Sequence, residues 1–148
     1  MHALGLVLPE VPEPIGVFRH GRIENGLLFL SGQGPLLANG QLARGKVGRD
    51  VTTEEASFHA MRTGLVLIAV MKSILHDLDR VQAIVKLLGF VNSTEEYSCH
   101  SQVIDGCSNL FHSVFGDIGP HARSAIGLSS LPGQISVEVE AIVRVSEP

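Results

Sequence analysis

The stretch HARSAIGLSSLPGQISVEVEAI, residues 121–142, contains two alternating runs on either side of a Leu-Pro turn. Because side chains in a strand alternate, the first run places Arg123, Ala125 and Gly127 on one face. That face combines a cation with two very small residues, which leaves room for a small anionic ligand. The second run places Glu138 on a polar strand face. If the two strands pair, the guanidinium and the carboxylate converge on one cleft as a carboxylate-binding and water-activating pair.

Arg123 and Glu138 each also have a simpler interpretation. An arginine fork suits a carboxylate ligand held by two parallel hydrogen bonds, but it equally suits an ion pair within the chain or between subunits. Glu138 is either a general base toward water or one member of a solvated strand face shared with Glu140. Spacing alone favours the solvated face for Glu138 and leaves the two interpretations of Arg123 open.

Few other residues in the chain suggest a reaction. Ser31-Gly32 ends a predicted strand, where exposed backbone groups can hydrogen-bond a ligand, although a glycine after a strand is also an ordinary turn. His121 adjoins Arg123 and either lines the cleft or lies on the surface.

The seven histidines contain no pair at ligand spacing with an acidic third ligand, so we expect no metal. The chain contains no P-loop and no dinucleotide-binding glycine motif, so no cofactor is predicted.

Composition limits the function classes. The 148 residues predict one domain, 1–148, with an irregular, proline-rich lead-in over 1–14. A net charge of −4 with no basic stripe argues against a nucleic-acid partner. The longest apolar run, 65–71, is too short to span a bilayer, and no signal peptide is evident. The two cysteines, Cys99 and Cys107, form no disulfide framework, which indicates a reducing cytoplasm.

Periodicity predicts the elements in the order β-β-α-β-α-β-β. Asn25-Gly26 is a strong hairpin signal, and the capping box Thr52-Thr53-Glu54-Glu55 marks a helix start. The predicted strands are 16–22, 26–31, 81–91 and the two runs described above, and the predicted helices begin near 52 and 101 and end near 75 and 115. This order predicts an α+β domain with two helices on one face of a mixed sheet. The other face is left for partner subunits.

Several short motifs occur in an order that resembles the Rid/YjgF family of reactive-intermediate deaminases. They span most of the chain: Ile15-Gly16, Leu30-Ser31-Gly32-Gln33-Gly34-Pro35, Ala122-Arg123-Ser124-Ala125, Leu131-Pro132 and Glu138-Val139-Glu140-Ala141-Ile142. The resemblance implies a chorismate-mutase-like fold and a homotrimer with three clefts between subunits. It also implies hydrolysis of small carboxylate-bearing imines, such as those formed from 2-aminoacrylate, to 2-keto acids and ammonia without a cofactor.

The resemblance also implies roles for individual residues. Arg123 matches the arginine that binds the substrate carboxylate, and Glu138 matches the glutamate that positions water. The backbone of Ser31-Gly32 matches a substrate contact, and Phe18 and Phe90 are expected to shape the cleft.

The chain departs from the family pattern at several of these positions. Phe18 replaces a tyrosine, Ala125 replaces a cysteine, and the family's helix asparagine falls near Ser108 or Asn109. These departures keep open a non-catalytic, carboxylate-binding regulator of the same fold. An endoribonuclease is a further alternative, against which the acidic net charge argues.

Overall fold

The fold is described by a computed structural model over residues 4–148, so residues 1–3 of the predicted lead-in lie outside the described range. The elements, in chain order, are β1 (Gly21–Glu24), β2 (Leu27–Gln33), α1 (Thr53–Leu75), β3 (Val81–Asn92), α2 (His100–Phe115), β4 (Ala122–Leu128) and β5 (Val137–Val145). The predicted element order and the α+β class are confirmed.

The five strands form one mixed sheet in the order β1-β2-β5-β3-β4. β3 and β4 run parallel, and the other neighbours are antiparallel. The condition considered above, that β4 and β5 pair, is therefore not met, because β3 lies between them. The physical reason is the crossover through α2, which returns β4 parallel to β3 at the sheet edge, while β5 pairs with the opposite side of β3. The interior position of β3 agrees with its apolar residues on both faces.

The first hairpin forms where its turn signal predicts, but its first strand is shorter than expected. Asn25 and Gly26 both have positive φ, 51° and 75°, as a type I′ turn requires. β1 begins only at Gly21, which pairs with Leu30, and not at Gly16. Val17, like the residues around it, is exposed and pairs with no strand of the described chain, so its apolar character does not extend β1.

Both helices lie on one face of the sheet and enclose the core. The predicted capping box begins α1: Glu55 N donates to Thr52 Oγ1 at 3.2 Å, and Thr52 N donates to a Glu55 carboxylate oxygen at 2.8 Å. By length and composition α1 is apolar enough to cross a membrane. It is mostly buried against α2 and the sheet, as expected for the core helix of a soluble fold.

Within residues 4–148, no helix lies over the opposite face of the sheet. Phe29 and Ile126 on this face are 43% and 42% exposed. Leu88, Phe90 and Ile142 lie beside them and are partly exposed. Below, "the open face" means this helix-free side of the sheet.

Candidate active site

Arg123 lies on the edge strand β4 and its side chain reaches α2. The register pairs Arg123 with Leu87, a fully buried core residue, so the arginine is on the helix side of the sheet. Its Nη1 donates to Asp105 Oδ1 at 2.8 Å and to Ser108 Oγ at 3.1 Å. In the described part of the chain, Nη2 reaches only the Ser101 carbonyl oxygen, at 3.5 Å. The guanidinium is thus anchored through one nitrogen, and its remaining edge has little contact with the chain.

A short hydrogen-bond chain continues from Arg123 to His121. His121 Nδ1 lies 2.7 Å from the Gly119 carbonyl oxygen, which can only accept, so Nδ1 carries the ring proton. Nε2 then accepts from the Ser108 hydroxyl at 3.0 Å in the neutral ring. Burial lowers the pKa of His121, and the Arg123 charge lowers it further, against the Gly119 hydrogen bond, which raises it. His121 is therefore expected to be neutral near pH 7 and to add no second positive charge beside Arg123.

Glu138 lies on β5 opposite Phe90, on the open face. Burial raises the pKa of its carboxyl, and the negative charge of Glu140 on the same strand face raises it further. Gly32 lies against this carboxylate, and a Cβ added to Gly32 would overlap it. A half-buried carboxylate with a raised pKa is suited to transfer protons at moderate pH.

Arg123 and Glu138 consequently lie on opposite faces of the sheet in one protomer. Arg123 shares its face with Leu87, whereas Glu138 shares its face with Phe90. The alternation within each strand is as predicted, but the convergence of the two groups within one chain is not found. The alternative interpretation of Arg123, an ion pair within the chain, is found: over residues 4–148 its partner is Asp105 and not Glu138.

Ser31 and Gly32 form a β-bulge in β2. The register with β5 shifts between Leu30, which pairs with Ala141, and Gln33, which pairs with Val139. A bulge re-aims side chains and unpaired backbone groups, and bulges occur often beside active sites. Ser31 N donates to the His20 carbonyl oxygen at 2.8 Å, and Ser31 Oγ donates to the Arg19 carbonyl oxygen at 2.7 Å.

Two of the other predicted residues lie close to this bulge. The Phe18 ring is half exposed and packs edge-on against His20, whose carbonyl oxygen accepts from Ser31. Phe90 lies beside Glu138 on the neighbouring strand. The open-face group therefore contains Glu138, Gly32 and Phe90, with Ser31 and Phe18 next to it.

Two predicted residues lie elsewhere. Ala125 shares the Arg123 face and packs against the core. Asn109 lines an apolar groove with Leu6 and Met61, away from the Arg123 contacts. Of the two candidates on α2, only Ser108 reaches the arginine.

Sequence reasoning missed Asp105. Its position along the helix could have indicated it, because Asp105 lies three residues before Ser108 and therefore on the same face of α2.

A separate cavity of about 660 Å³ lies near the start of α2, between Lys46, Ser93, His100 and Gly127. Lys46 Nζ donates to Asn92 Oδ1 at 2.8 Å and to the carbonyl oxygens of Ser93 and Ser129 at 3.4 and 2.6 Å. These contacts use all three ammonium donors, so the lysine holds loops together. Over residues 4–148, no three His, Cys, Asp or Glu side chains form a metal-binding group.

Comparison with known proteins identifies the family. The model of the family described as "YjgF/chorismate_mutase-like, putative endoribonuclease" matches residues 1–137. The chain belongs to the YjgF/Rid family.

Relatives from three organisms match this YjgF/Rid chain over nearly its whole length. Protein TCP17 of Trypanosoma cruzi is 36% identical over 147 residues, which cover 99% of this chain and 92% of that protein. "Putative regulator AldR" of Lactococcus lactis is 32% identical over 137 residues, which cover 92% and 93%. The crystal structure of Atu1372 from Agrobacterium tumefaciens, a protein of unknown function, is 38% identical with a TM-score of 0.89 and covers 97% of this chain and 88% of that one.

Proposed function

We propose that this YjgF/Rid protein is an enamine/imine deaminase that hydrolyses small 2-imino acids to 2-keto acids and ammonia. The observation that carries the proposal is the Arg123 guanidinium. Nη1 anchors it to α2, and Nε has no hydrogen-bond partner within residues 4–148. One planar edge of a half-buried arginine is therefore available for the two parallel hydrogen bonds of a substrate carboxylate.

The proposed reaction needs only orientation and one base. With its carboxylate on Arg123, the protonated imine presents an electrophilic C=NH₂⁺ carbon. Glu138 removes a proton from water as the water oxygen bonds to this carbon, and the proton passes to the nitrogen as the C–N bond breaks. The products are the 2-keto acid and NH₄⁺, which balances the iminium ion and one water. Positioning of the substrate and general-base catalysis accelerate the reaction without a metal or organic cofactor.

A site of this kind requires more than one copy of the chain. Arg123 and Glu138 are on opposite sheet faces, so one small ligand reaches both only where two subunits meet. The proposal therefore includes a homotrimer with clefts between neighbours, located in the cytoplasm. The exposed apolar side chains of the open face, such as Phe29 and Ile126, support association through that face.

The test is direct measurement of imine hydrolysis. 2-Aminoacrylate or a longer imine is generated in situ, and loss of its semicarbazone is followed with and without the protein. We expect acceleration by the wild type, loss of activity in Arg123→Ala and little recovery in Arg123→Lys, because lysine lacks the planar fork. Arg22→Ala is the matched control, since Arg22 is exposed and, among the residues that the structure describes, pairs only with Glu24. Equal rates with and without the wild-type protein across several imines refute the proposal.

A carboxylate-binding regulator is the second candidate. It is favoured by the similarity to AldR, and by Asp105, which already occupies Nη1 of Arg123. This function predicts that 2-keto acids bind with dependence on Arg123 but that imines are not turned over. Calorimetry on the protein that has been assayed for hydrolysis separates the two functions.

An endoribonuclease, the activity in the family description, has less support. The net charge is −4 and the chain has only three lysines, whereas RNA-binding surfaces are basic. RNA cleavage that is sensitive to salt and lost in Arg123→Ala would favour this activity over the deaminase.

A further inference from the structure

Asp105 changes what the Arg123 site can bind. Its Oδ1 accepts from Arg123 Nη1 at 2.8 Å, and its side chain is 50% exposed, against 21% for Arg123. Within residues 4–148, Oδ2 of Asp105 accepts no hydrogen bond. The site therefore offers two adjacent groups to a ligand: a free guanidinium edge and a free carboxylate oxygen.

The charges of this pair cancel, and within residues 4–148 no other charged side chain forms a hydrogen bond or salt bridge with Arg123 or Asp105. Burial and the nearby Arg123 charge lower the pKa of His121 and favour its neutral ring, and Ser108, between His121 and Arg123, is uncharged. Within one protomer, Glu138 and Glu140 are on the opposite face of the sheet. The Glu138 that a neighbouring subunit brings to the proposed site adds negative charge, so it does not offset the effect of Asp105. A simple carboxylate anion is thus attracted by Arg123 and repelled by Asp105. A ligand with a carboxylate and an adjacent cationic nitrogen matches both groups.

We propose that Asp105 is a specificity-determining residue that selects zwitterionic 2-imino or 2-amino carboxylates over 2-keto carboxylates. Asp105 Oδ2 accepts a hydrogen bond from the ligand's iminium or ammonium N–H while Arg123 binds its carboxylate. This inference rests on the proposed deaminase site and names its substrate class. The protonated imine is a zwitterion and the 2-keto acid product is an anion, so the same carboxylate favours the reactive form and weakens product binding.

Binding of two ligands with the same carbon skeleton tests the proposal. L-Alanine represents the zwitterion and pyruvate the anion, and each is titrated into the full-length protein by NMR. We expect the wild type to bind alanine more tightly. In Asp105→Asn the alanine-to-pyruvate affinity ratio should fall by roughly ten- to a hundredfold, the effect of one charge-assisted hydrogen bond. Asparagine still accepts from Arg123, so the arginine stays in place.

Two further variants control for general effects. Asp105→Glu keeps the charge and should keep the preference for alanine. Asp117→Asn removes one exposed carboxylate in the turn after α2 and should change neither affinity. An affinity ratio unchanged in Asp105→Asn, or changed as much in Asp117→Asn, overturns the proposal.

Kinetics distinguish this inference from the proposed function. In a protein that hydrolyses imines, Asp105→Asn should raise KM for the imine and lower the inhibition constant of the 2-keto acid, each about tenfold. If imines are hydrolysed but the alanine-to-pyruvate affinity ratio is unchanged in Asp105→Asn, the role of Asp105 is refuted and the proposed deaminase function is not. If the affinity ratio depends on Asp105 but no imine is hydrolysed, the deaminase function is refuted and the selectivity of Asp105 is not.

Discussion

Replacing Gly32 with alanine should displace the Glu138 carboxylate while changing the stability of the fold only slightly. The alanine Cβ would overlap the Glu138 carboxylate, which is the mobile end of a flexible side chain. The φ angle of Gly32 is not positive, so alanine adopts its backbone conformation without strain. The expected structural response is a rotated Glu138 side chain and an unchanged sheet.

The magnitudes for stability and activity are very different. Replacing a glycine at a compatible backbone position changes stability by about 0.4–1 kcal/mol, so the unfolding midpoint should move by a few degrees at most. Misplacing a catalytic group by about 1 Å costs roughly 10²-fold. We therefore expect kcat/KM for imine hydrolysis to fall about a hundredfold, which corresponds to about 2.7 kcal/mol of transition-state stabilisation.

A double-mutant cycle establishes whether this loss acts through Glu138. In a Glu138→Gln background, Gly32→Ala should change kcat/KM by less than about twofold, because the group it displaces is no longer a base. Gly34→Ala is the matched control: its Cβ would lie 3.1 Å from Ile135 Cδ1 and 3.2 Å from Leu42 Cδ2, away from Glu138. Full activity of Gly32→Ala, or a further hundredfold loss in the Glu138→Gln background, refutes the reasoning.

Three further predictions concern pH dependence and packing. Glu140→Gln removes a charge that raises the Glu138 pKa, so the acid limb of the pH–kcat/KM profile should move to lower pH; an unmoved limb contradicts the assignment of Glu138 as base. Gly89→Ala places a Cβ 2.5–2.8 Å from three Ile104 atoms in the core, so denaturant unfolding should show a loss of about 1–3 kcal/mol, partly restored by Ile104→Val. Thr52→Ala removes the α1 cap and should lower the unfolding free energy by about 1 kcal/mol; the same measurement on Glu54→Gln, at an exposed position that leaves the capping hydrogen bonds in place, is the control.

Much of the fold could be predicted from the sequence because its signals are local. The capping box at Thr52 and the Asn25-Gly26 turn depend on residues within one turn of chain, and both form as predicted. The first strand was placed too early, because the apolar residues around Val17 look like a strand although none of the described chain pairs with them. A strand ends where its partner ends, and a single stretch of sequence does not contain that information.

The candidate site could likewise be predicted only where it depends on neighbouring residues in the sequence. Strand alternation predicts that Arg123 and Ala125 share one sheet face and that Glu138 and Glu140 share one sheet face. Both predictions are found in the structure. Asp105 was missed because it acts across the space between α2 and β4. Its carboxylate meets Arg123 only once the crossover has placed the helix over the strand.

The sequence by itself determined which residues share a face of each element, since helical and strand periodicities are properties of consecutive residues. Only the tertiary structure decided which faces meet. β3 lies between the two strands that carry the arginine and the glutamate, and the register assigns Arg123 to the helix side and Glu138 to the open face. Strand order depends on long-range pairing and on burial of the whole sheet, which no local pattern encodes.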